Sequence, residues 1–312
     1  METPDSHQSN TLLTLSDGLA GAVERAGRAI VAINARERIP SSGILWRAGV
    51  IATADHTIKR EEELTVLLPD GRTVPATLAG RDPGTDLAVL KLDSAGITPA
   101  EIGDTASLKV GHLVLAVGRV SEQGPSASLG VVSATGGAWR TWRGGLLEQF
   151  VRLDLAIYDG FSGGPLVDLQ GRVVGLNTSG LTRGGALTIP TATVNRVVDE
   201  VLTRGHVRRA YIGVGMQPVQ LPTALRQRLN LPNQYGVIVL SVEPDGPADK
   251  SGLLVGDVLV ALGGTPVSDT DDVQAALGPE RVGQPLDASV IRGGELAQLT
   301  IIVGERPQGR RR

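Results

Sequence analysis

The 312-residue chain carries 30 basic and 33 acidic residues, a formal net charge of −3 that argues against a general affinity for nucleic acid. It has no cysteine, which excludes disulfides and thiolate metal sites and fits a reducing compartment. Residues 1–10 lack a basic start followed by an apolar run, and the apolar stretch 29–33 is too short to span a bilayer. The expectation is therefore a cytoplasmic protein with no visible membrane anchor, long enough for two domains or three compact lobes.

Residues 1–16 read as a polar tail. Residues 17–28 read as one helix, capped by Ser16 or Asp17, with Leu19, Val23 and Ala26 at helical spacing. From 29 to about Pro190, short apolar runs alternate with turn signals: 44–46, 50–53, 64–68, 76–80, 88–92, 113–117, 130–134, 150–153, 165–168 and 173–177. The 41 glycines suit tight turns, and Pro69-Asp70-Gly71 and Asp168-Leu169-Gln170-Gly171 read as hairpin turns. About a dozen strands in roughly 160 residues predict two six-stranded antiparallel barrels rather than one large sheet. Residues 191–202 switch to helical periodicity through Val194, Val197, Val198 and Val201 and stop at Arg204-Gly205, so 191–206 is a linking helix. Residues 207–303 form a smaller β-rich unit with helical signals at 222–229, 247–251 and 271–277, followed by a basic tail at 304–312.

Three polar residues stand out in this pattern. Ser162 lies in Gly160-Phe161-Ser162-Gly163-Gly164-Pro165; His56 closes the apolar strand ending Thr53-Ala54-Asp55; Asp86 precedes the buried-looking Ala88-Val89-Leu90-Lys91-Leu92. Each alone has an ordinary reading, as an exposed loop histidine, turn chemistry or a plain hairpin. Together they fit nucleophilic catalysis. A serine hydroxyl attacks at neutral pH only when an imidazole takes its proton and a carboxylate fixes the imidazole tautomer. Glycines around the serine let backbone amides approach a developing oxyanion. The order His, Asp, Ser is that of chymotrypsin, not of subtilisins or α/β-hydrolases. His56 and Asp86 fall in the first barrel and Ser162 in the second, which predicts a cleft between them. His112 and His206 have no metal-spaced companions, and His7 lies in the tail. No metal or cofactor is expected.

With Leu68-Pro69-Asp70-Gly71-Arg72, Gly80-Arg81-Asp82-Pro83, Thr85-Asp86-Leu87-Ala88-Val89-Leu90, Gly130-Val131-Val132-Ser133-Ala134 and Gly163-Gly164-Pro165-Leu166, the chain resembles HtrA-type serine proteases over residues 17–303. The resemblance implies a trypsin-like domain at 17–190 followed by a PDZ domain at 207–303. It implies His56 as general base, Asp86 as its orienting acid, Ser162 as nucleophile, and the amides of Gly160 and Ser162 as the oxyanion hole. Three departures stand out. Phe161 replaces the usual Asn or Asp and needs a pocket of its own. Thr53-Ala54-Asp55 replaces an Asn-rich strand end, and Leu153-Asp154-Leu155 an expected Thr-Asp-Ala run. Where trypsins carry their specificity aspartate this chain has Ala156, followed by Ile157, which predicts cleavage after small or medium aliphatic residues.

The C-terminal unit resembles a PDZ domain through Tyr211-Ile212-Gly213-Val214, Val242-Glu243-Pro244-Asp245-Gly246-Pro247-Ala248 and Gly252-Leu253-Leu254-Val255-Gly256-Asp257-Val258-Leu259. Its expected ligand is a peptide C-terminus, added as a strand with its carboxylate on the Tyr211–Val214 turn. Val273 and Leu277 either wall the side-chain pocket or pack in the core. Residues 139–143, two tryptophans between glycine pairs, read either as a mobile loop with aromatic anchors, which the HtrA resemblance implies orders the active site when a peptide or neighbouring subunit engages, or as a merely exposed loop. The expected function is ATP-independent endoproteolysis of unfolded or damaged polypeptides. The alternative is an idle protease domain serving as a peptide-binding adaptor because Phe161 distorts the oxyanion loop. The family's homotrimer would here rest on Leu12, Leu13 and Leu15 in place of aromatic residues.

Overall fold

A computed structural model describes residues 4–93, 96–182 and 186–306, with side chains described from Asn10 onward. The chain divides into two compact units, Met1–Val207 and Arg208–Arg312.

The first unit opens with helix α1 (Pro4–Gly27). The helix begins well before the cap expected at Ser16 or Asp17, so the described part of 1–16 is helical rather than a tail. Proline is tolerated in the first turn of a helix, which makes Pro4 the start signal. By Ser16 the backbone amides already have intrahelical partners, and Thr14 Oγ1 donates 2.8 Å to the Asn10 carbonyl one turn back. Leu12, Leu13 and Leu15 are exposed on this helix.

Strands β1 (Ile30–Asn34), β2 (Ser41–Arg47), β3 (Val50–Ala54), β4 (Leu64–Leu67), β5 (Thr73–Asp82) and β6 (Leu87–Lys91) close a barrel in the order β1-β2-β3-β6-β5-β4. Strands β7 (Leu113–Arg119) and β8 (Pro125–Gly136) start the second barrel. A two-stranded hairpin, β9 (Trp139–Arg140) and β10 (Leu146–Leu147), comes next. Strands β11 (Phe150–Asp154), β12 (Pro165–Val167), β13 (Val173–Thr178) and β14 (Ala186–Pro190) complete the barrel in the order β11-β14-β13-β12-β7-β8. The two barrels of six agree with the sequence pattern. Strand β14, buried throughout, was not singled out in it.

Strand β6 shows why the barrels pack together. Leu87 and Val89 join one apolar cluster with Leu115, Val117, Leu187 and Ile189 of the second barrel, while Ala88 and Leu90 join the first barrel's interior with Val31, Leu45 and Ile51. Alternate residues of one strand thus serve two cores, and the run reads as continuously hydrophobic. Helix α2 (Thr191–Arg204) lays Val194, Val197, Val198 and Val201 on the cluster shared by both barrels, and Gly205 caps it at φ +80°.

The second unit contains a short pair, β15 (Ala210–Tyr211) with β22 (Gly304–Glu305), so part of the expected tail is strand; the Arg310-Arg311-Arg312 run lies outside the described residues. Its main sheet runs β16 (Val214–Gln220), β17 (Tyr235–Val242), β18 (Val258–Leu262), β20 (Pro285–Arg292), β21 (Glu295–Ile302), with β19 (Thr265–Pro266) on β18. Helices α3 (Thr223–Leu229), α4 (Pro247–Lys250) and α5 (Thr270–Ala275) fall where helical periodicity appears in the sequence.

One ion pair is expected to make this unit acid-sensitive. Asp257 is buried and accepts from Arg292 Nε at 2.8 Å and Nη2 at 2.7 Å, and from the Leu254 amide at 2.8 Å. Burial alone would raise its carboxyl, but the Arg292 hydrogen bonds, the Leu254 amide and the Arg292 charge outweigh it and hold it below its ordinary 3.8. A folded-state value below the unfolded one gives stability that is complete above 3.8 and lost as pH falls through the folded value. Urea unfolding of this unit should therefore shift to lower midpoints between neutral pH and about pH 3, and Asp257→Asn should remove that part of the shift. An equal acid shift in the variant would refute the assignment.

Candidate active site

His56 sits in a one-turn 3-10 helix (Asp55–Thr57) at the end of β3, and Asp86 lies immediately before β6, the strand that pairs with β3. The pairing brings them together. His56 Nδ1 is 2.7 Å from Asp86 Oδ2, and the His56 amide donates 2.9 Å to Asp86 Oδ1. Thr178 Oγ1 donates to the same Oδ2. Asp86 is fully buried and takes φ +59°, a region Asp and Asn enter more readily than bulkier residues. A carboxylate with three donors fixed on it holds the ring with Nε2 free to accept a proton.

Asp55, part of the departure from the Asn-rich pattern, has a structural partner. Arg81 Nε donates to its buried carboxylate, and the same guanidinium reaches Glu61 at 2.6 Å and the Asp55 and Ile58 carbonyls. Burial works against the Arg81 charge, but Asp55 and Glu61 outweigh it and hold the guanidinium above its ordinary value. The turn that presents His56 is thereby tied to β5.

The segment around Ser162 consists of two successive tight turns. Phe161 N–H donates 3.0 Å to Tyr158 O, with Gly160 at φ +88°; Gly164 N–H donates 2.9 Å to Phe161 O, with Gly163 at φ +90°. Both third positions need positive φ, which glycine supplies at no steric cost. Ser162 stands between them, 6% exposed. Among the described residues the amides of Gly160 and Ser162 donate to no other acceptor. Phe161 has found a pocket: it is buried, edge-on to Tyr158 at 5.3 Å between ring centroids and against Gly118, where an added Cβ would lie 2.6 Å from the ring.

Three consecutive residues, the last of β13 and the two that follow it, link the halves of the site. Thr178 bonds Asp86, Ser179 Oγ is 3.1 Å from Ser162 Oγ, and a Cβ on Gly180 would meet His56 Nδ1 and Asp86 Oδ2 at 2.6 Å. Among the described residues both hydrogen-bond partners of the Ser162 hydroxyl are on Ser179, and none is on the His56 ring. The Thr178 and Ser179 roles were missed in the sequence, where the 173–177 run carried only a strand signal. Ala156 is exposed, whereas Ile157 is half-buried beside Leu155 against the second barrel's apolar cluster, which includes Ala186.

The 139–143 segment is the first arm, β9, and the start of the turn of the β9–β10 hairpin. Trp139 stacks edge-on against Phe150 at 5.5 Å, Trp142 is exposed beneath the Arg143 guanidinium, and Thr141 Oγ1 donates 2.7 Å to the Gly84 carbonyl, two residues before Asp86. Glu148, just after β10, accepts from Arg196 Nε of α2 at 2.7 Å. His112 Nδ1 accepts from the Lys109 amide and His206 contacts the Arg204 carbonyl, both local backbone contacts. No helix among the described residues is long and apolar enough to cross a membrane.

In the second unit β16 is the edge strand of the main sheet, bonded among the described residues to β17. The preceding Tyr211–Val214 turn carries Gly213 at φ +76°, and the Gly213 carbonyl accepts from Glu243 at 2.8 Å. Val273 is fully buried in the core, whereas Leu277 is half-buried at its margin with Val214, Met216 and Ala276. Core packing therefore holds for Val273, while Met216 and Ala276, not singled out in the sequence, stand beside Val214 and Leu277.

Residues 41–176 match the trypsin-like peptidase domain and residues 210–303 the PDZ domain. A probable periplasmic serine endoprotease, DegP-like, of Halomonas elongata is 33% identical over 281 residues, covering 88% of this chain and 58% of its own length. The Brucella suis protein of the same name is 35% identical over 274 residues, covering 86% and 52%. The chain thus spans about half the length of the curated relatives it matches. Among solved structures, the HtrA-type protease AlgW with decapeptide superposes with a TM-score of 0.76 at 31% identity, covering 93% of this chain and 99% of that one. The serine endoprotease from Yersinia pestis gives 0.75 at 29%, covering 93% and 98%. The names of the curated relatives overturn the cytoplasmic expectation: they are called periplasmic, and a chain without cysteine is as compatible with an oxidising compartment as with a reducing one. By identity, coverage and both matched domains, the chain belongs to the HtrA-type proteases.

Proposed function

We propose that this chain is a serine endopeptidase acting on unfolded or damaged polypeptides, with His56 as base, Asp86 as orienting acid and Ser162 as nucleophile. The observation that carries the reading is the His56–Asp86 pair at 2.7 Å, joined to Ser162 through the consecutive residues Thr178, Ser179 and Gly180. Attack requires the Ser162 hydroxyl to exchange its Ser179 partner for His56 Nε2. Oγ then bonds to the scissile carbonyl carbon while its proton passes to Nε2, and Asp86 stabilises the imidazolium. The carbonyl oxygen becomes an oxyanion received by the Gly160 and Ser162 amides. Collapse of that intermediate breaks the C–N bond, and the imidazolium gives its proton to the leaving amine. Water, deprotonated by His56, then hydrolyses the ester and restores Ser162. The reaction is downhill and needs no ATP.

The half-buried Ile157 beside Ala156 supports an aliphatic residue on the acyl side of the cut, because an apolar site cannot desolvate Lys or Arg without a partner charge. The open β16 edge and the Gly213 turn support capture of peptide C-termini by Tyr211, Ile212, Gly213 and Val214, with Leu277 at the groove. The curated relatives' names support a periplasmic location, testable by cell fractionation.

Reaction of the protein with a fluorophosphonate probe tests the central reading. Ser162→Ala should abolish labelling and lower kcat by about 10⁶-fold, and a peptide library should be cut mainly after Val, Ala or Ile. An unlabelled wild-type protein sinks the enzyme, and a profile dominated by Arg or Lys sinks the specificity.

A further inference from the structure

The nucleophile turn belongs to the second barrel, yet the group that fixes it belongs to the first. Ser42 lies on β2, fully buried. Its amide donates 2.9 Å and its hydroxyl 2.7 Å to one acceptor, the Gly160 carbonyl. The same hydroxyl accepts 2.9 Å from the amide of Arg119, the last residue of β7. Its own position is fixed as well, because Thr53 Oγ1 donates 2.7 Å to the Ser42 carbonyl.

The target of this double grip matters. The Gly160–Phe161 peptide lies between the two amides proposed to receive the oxyanion. Glycine at φ +88° has no Cβ to oppose rotation of the plane that follows it. If the plane turned over, the Gly160 carbonyl would leave Ser42 and the Phe161 amide would leave Tyr158 O, so the turn that carries both flanking amides would lose its anchors. Two donors on the carbonyl, with the Phe161 amide bonded to Tyr158 O, hold it in one orientation.

From this geometry we propose that Ser42 is a positioning residue for the oxyanion hole, holding the Gly160 carbonyl from the opposite barrel so that the Gly160 and Ser162 amides stay directed at the reacting carbonyl. The proposal rests on the serine endopeptidase reading and adds a residue that touches neither substrate nor the His56–Asp86 pair. Ser42→Ala deletes the hydroxyl and leaves the backbone bond, so the loop loses one of its two clamps.

The expected result is a kcat lower by about tenfold, less than the 10²–10³-fold for outright loss of an oxyanion donor, with KM within about twofold because ground-state contacts are untouched. A peptide boronic acid, which places a tetrahedral oxygen in the hole, should bind more weakly by the same factor. Thr105→Val supplies the comparison: it removes a buried hydrogen bond of the second barrel, from Thr105 Oγ1 to the Val174 carbonyl at 2.6 Å, that involves neither Ser42 nor Gly160, so its melting temperature should fall with boronate affinity unchanged. Ser42→Cys keeps the size with a weaker donor and should lie between alanine and wild type; it decides the matter if the alanine variant does not fold. Unchanged kcat and boronate affinity in folded Ser42 variants overturn the proposal, as does a rise in KM alone. Failure of the wild-type protein to react with a fluorophosphonate overturns the endopeptidase reading instead, so the two failures are distinguishable.

Discussion

Asp86→Asn is expected to lower kcat by about four orders of magnitude, as loss of the orienting charge does in a Ser-His-Asp system, while leaving the barrels folded. Asparagine keeps the shape and, like aspartate, tolerates φ +59°, so the backbone conformation survives. What changes is the sign of one contact. The side-chain oxygen can still accept from the His56 amide, but an NH₂ group then faces His56 Nδ1 and Thr178 Oγ1, both of which donate to the carboxylate in the native protein. The ring answers by accepting at Nδ1 and carrying its proton on Nε2, the nitrogen proposed to receive the Ser162 proton. Single-turnover acylation isolates the step. A decrease below tenfold, with an unchanged melting temperature, would show that Asp86 does not set the tautomer. Asp86→Ala is a poorer test, because it adds backbone strain at positive φ and leaves a void beside Thr178.

Much of this geometry is legible in the sequence, and the physical reason lies in alternation and turn chemistry. Strands such as β6 are buried on both faces and announce themselves as apolar runs between turn residues, so the barrels follow from local pattern. His56, Asp86 and Ser162 stand at the ends of such runs, where the chain must turn and side chains can leave the core. Ser42, Thr178 and Ser179 gave no comparable signal. Each lies in or directly after a strand and gains its role from a partner at least 17 residues away, Gly160, Asp86 and Ser162 respectively. Neither periodicity nor turn propensity encodes such pairings. The helix start failed for a related reason: Ser16-Asp17 is a good cap only where the preceding residues are not already helical, and Thr14 back-bonded to Asn10 shows that they are. Trp139 and Trp142 look alike in sequence, yet Trp139, in β9, packs on Phe150, whereas Trp142, in the turn, is 73% exposed.

Gly145→Ala should reduce kcat by about a hundredfold, the scale of a sub-ångström to ångström misplacement transmitted to a catalytic group, although Gly145 touches neither His56 nor Ser162. A Cβ there would lie 2.2 Å from the Gly84 carbonyl carbon, 2.3 Å from its oxygen and 2.6 Å from the Thr85 amide nitrogen. All three are backbone atoms, so no side chain can rotate away; either the hairpin or the Asp86 turn must move. The turn has little freedom on its other side, where Asp82 accepts from Gly84 N at 3.2 Å and from Thr85 Oγ1 at 2.7 Å. The hairpin is held by Thr141, whose hydroxyl donates to the Gly84 carbonyl and accepts from the Gly145 amide at 3.1 Å. Separation breaks that bridge, and Asp86, next in the chain, shifts against a ring it holds at 2.7 Å. Trp142→Ala, at the exposed tip of the same hairpin, should leave turnover of a short peptide unchanged. Equal rates for the Gly145 variant and the native protein would mean that the hairpin packs against the turn without positioning the acid. A loss shared equally by both variants would place the effect in the tip instead.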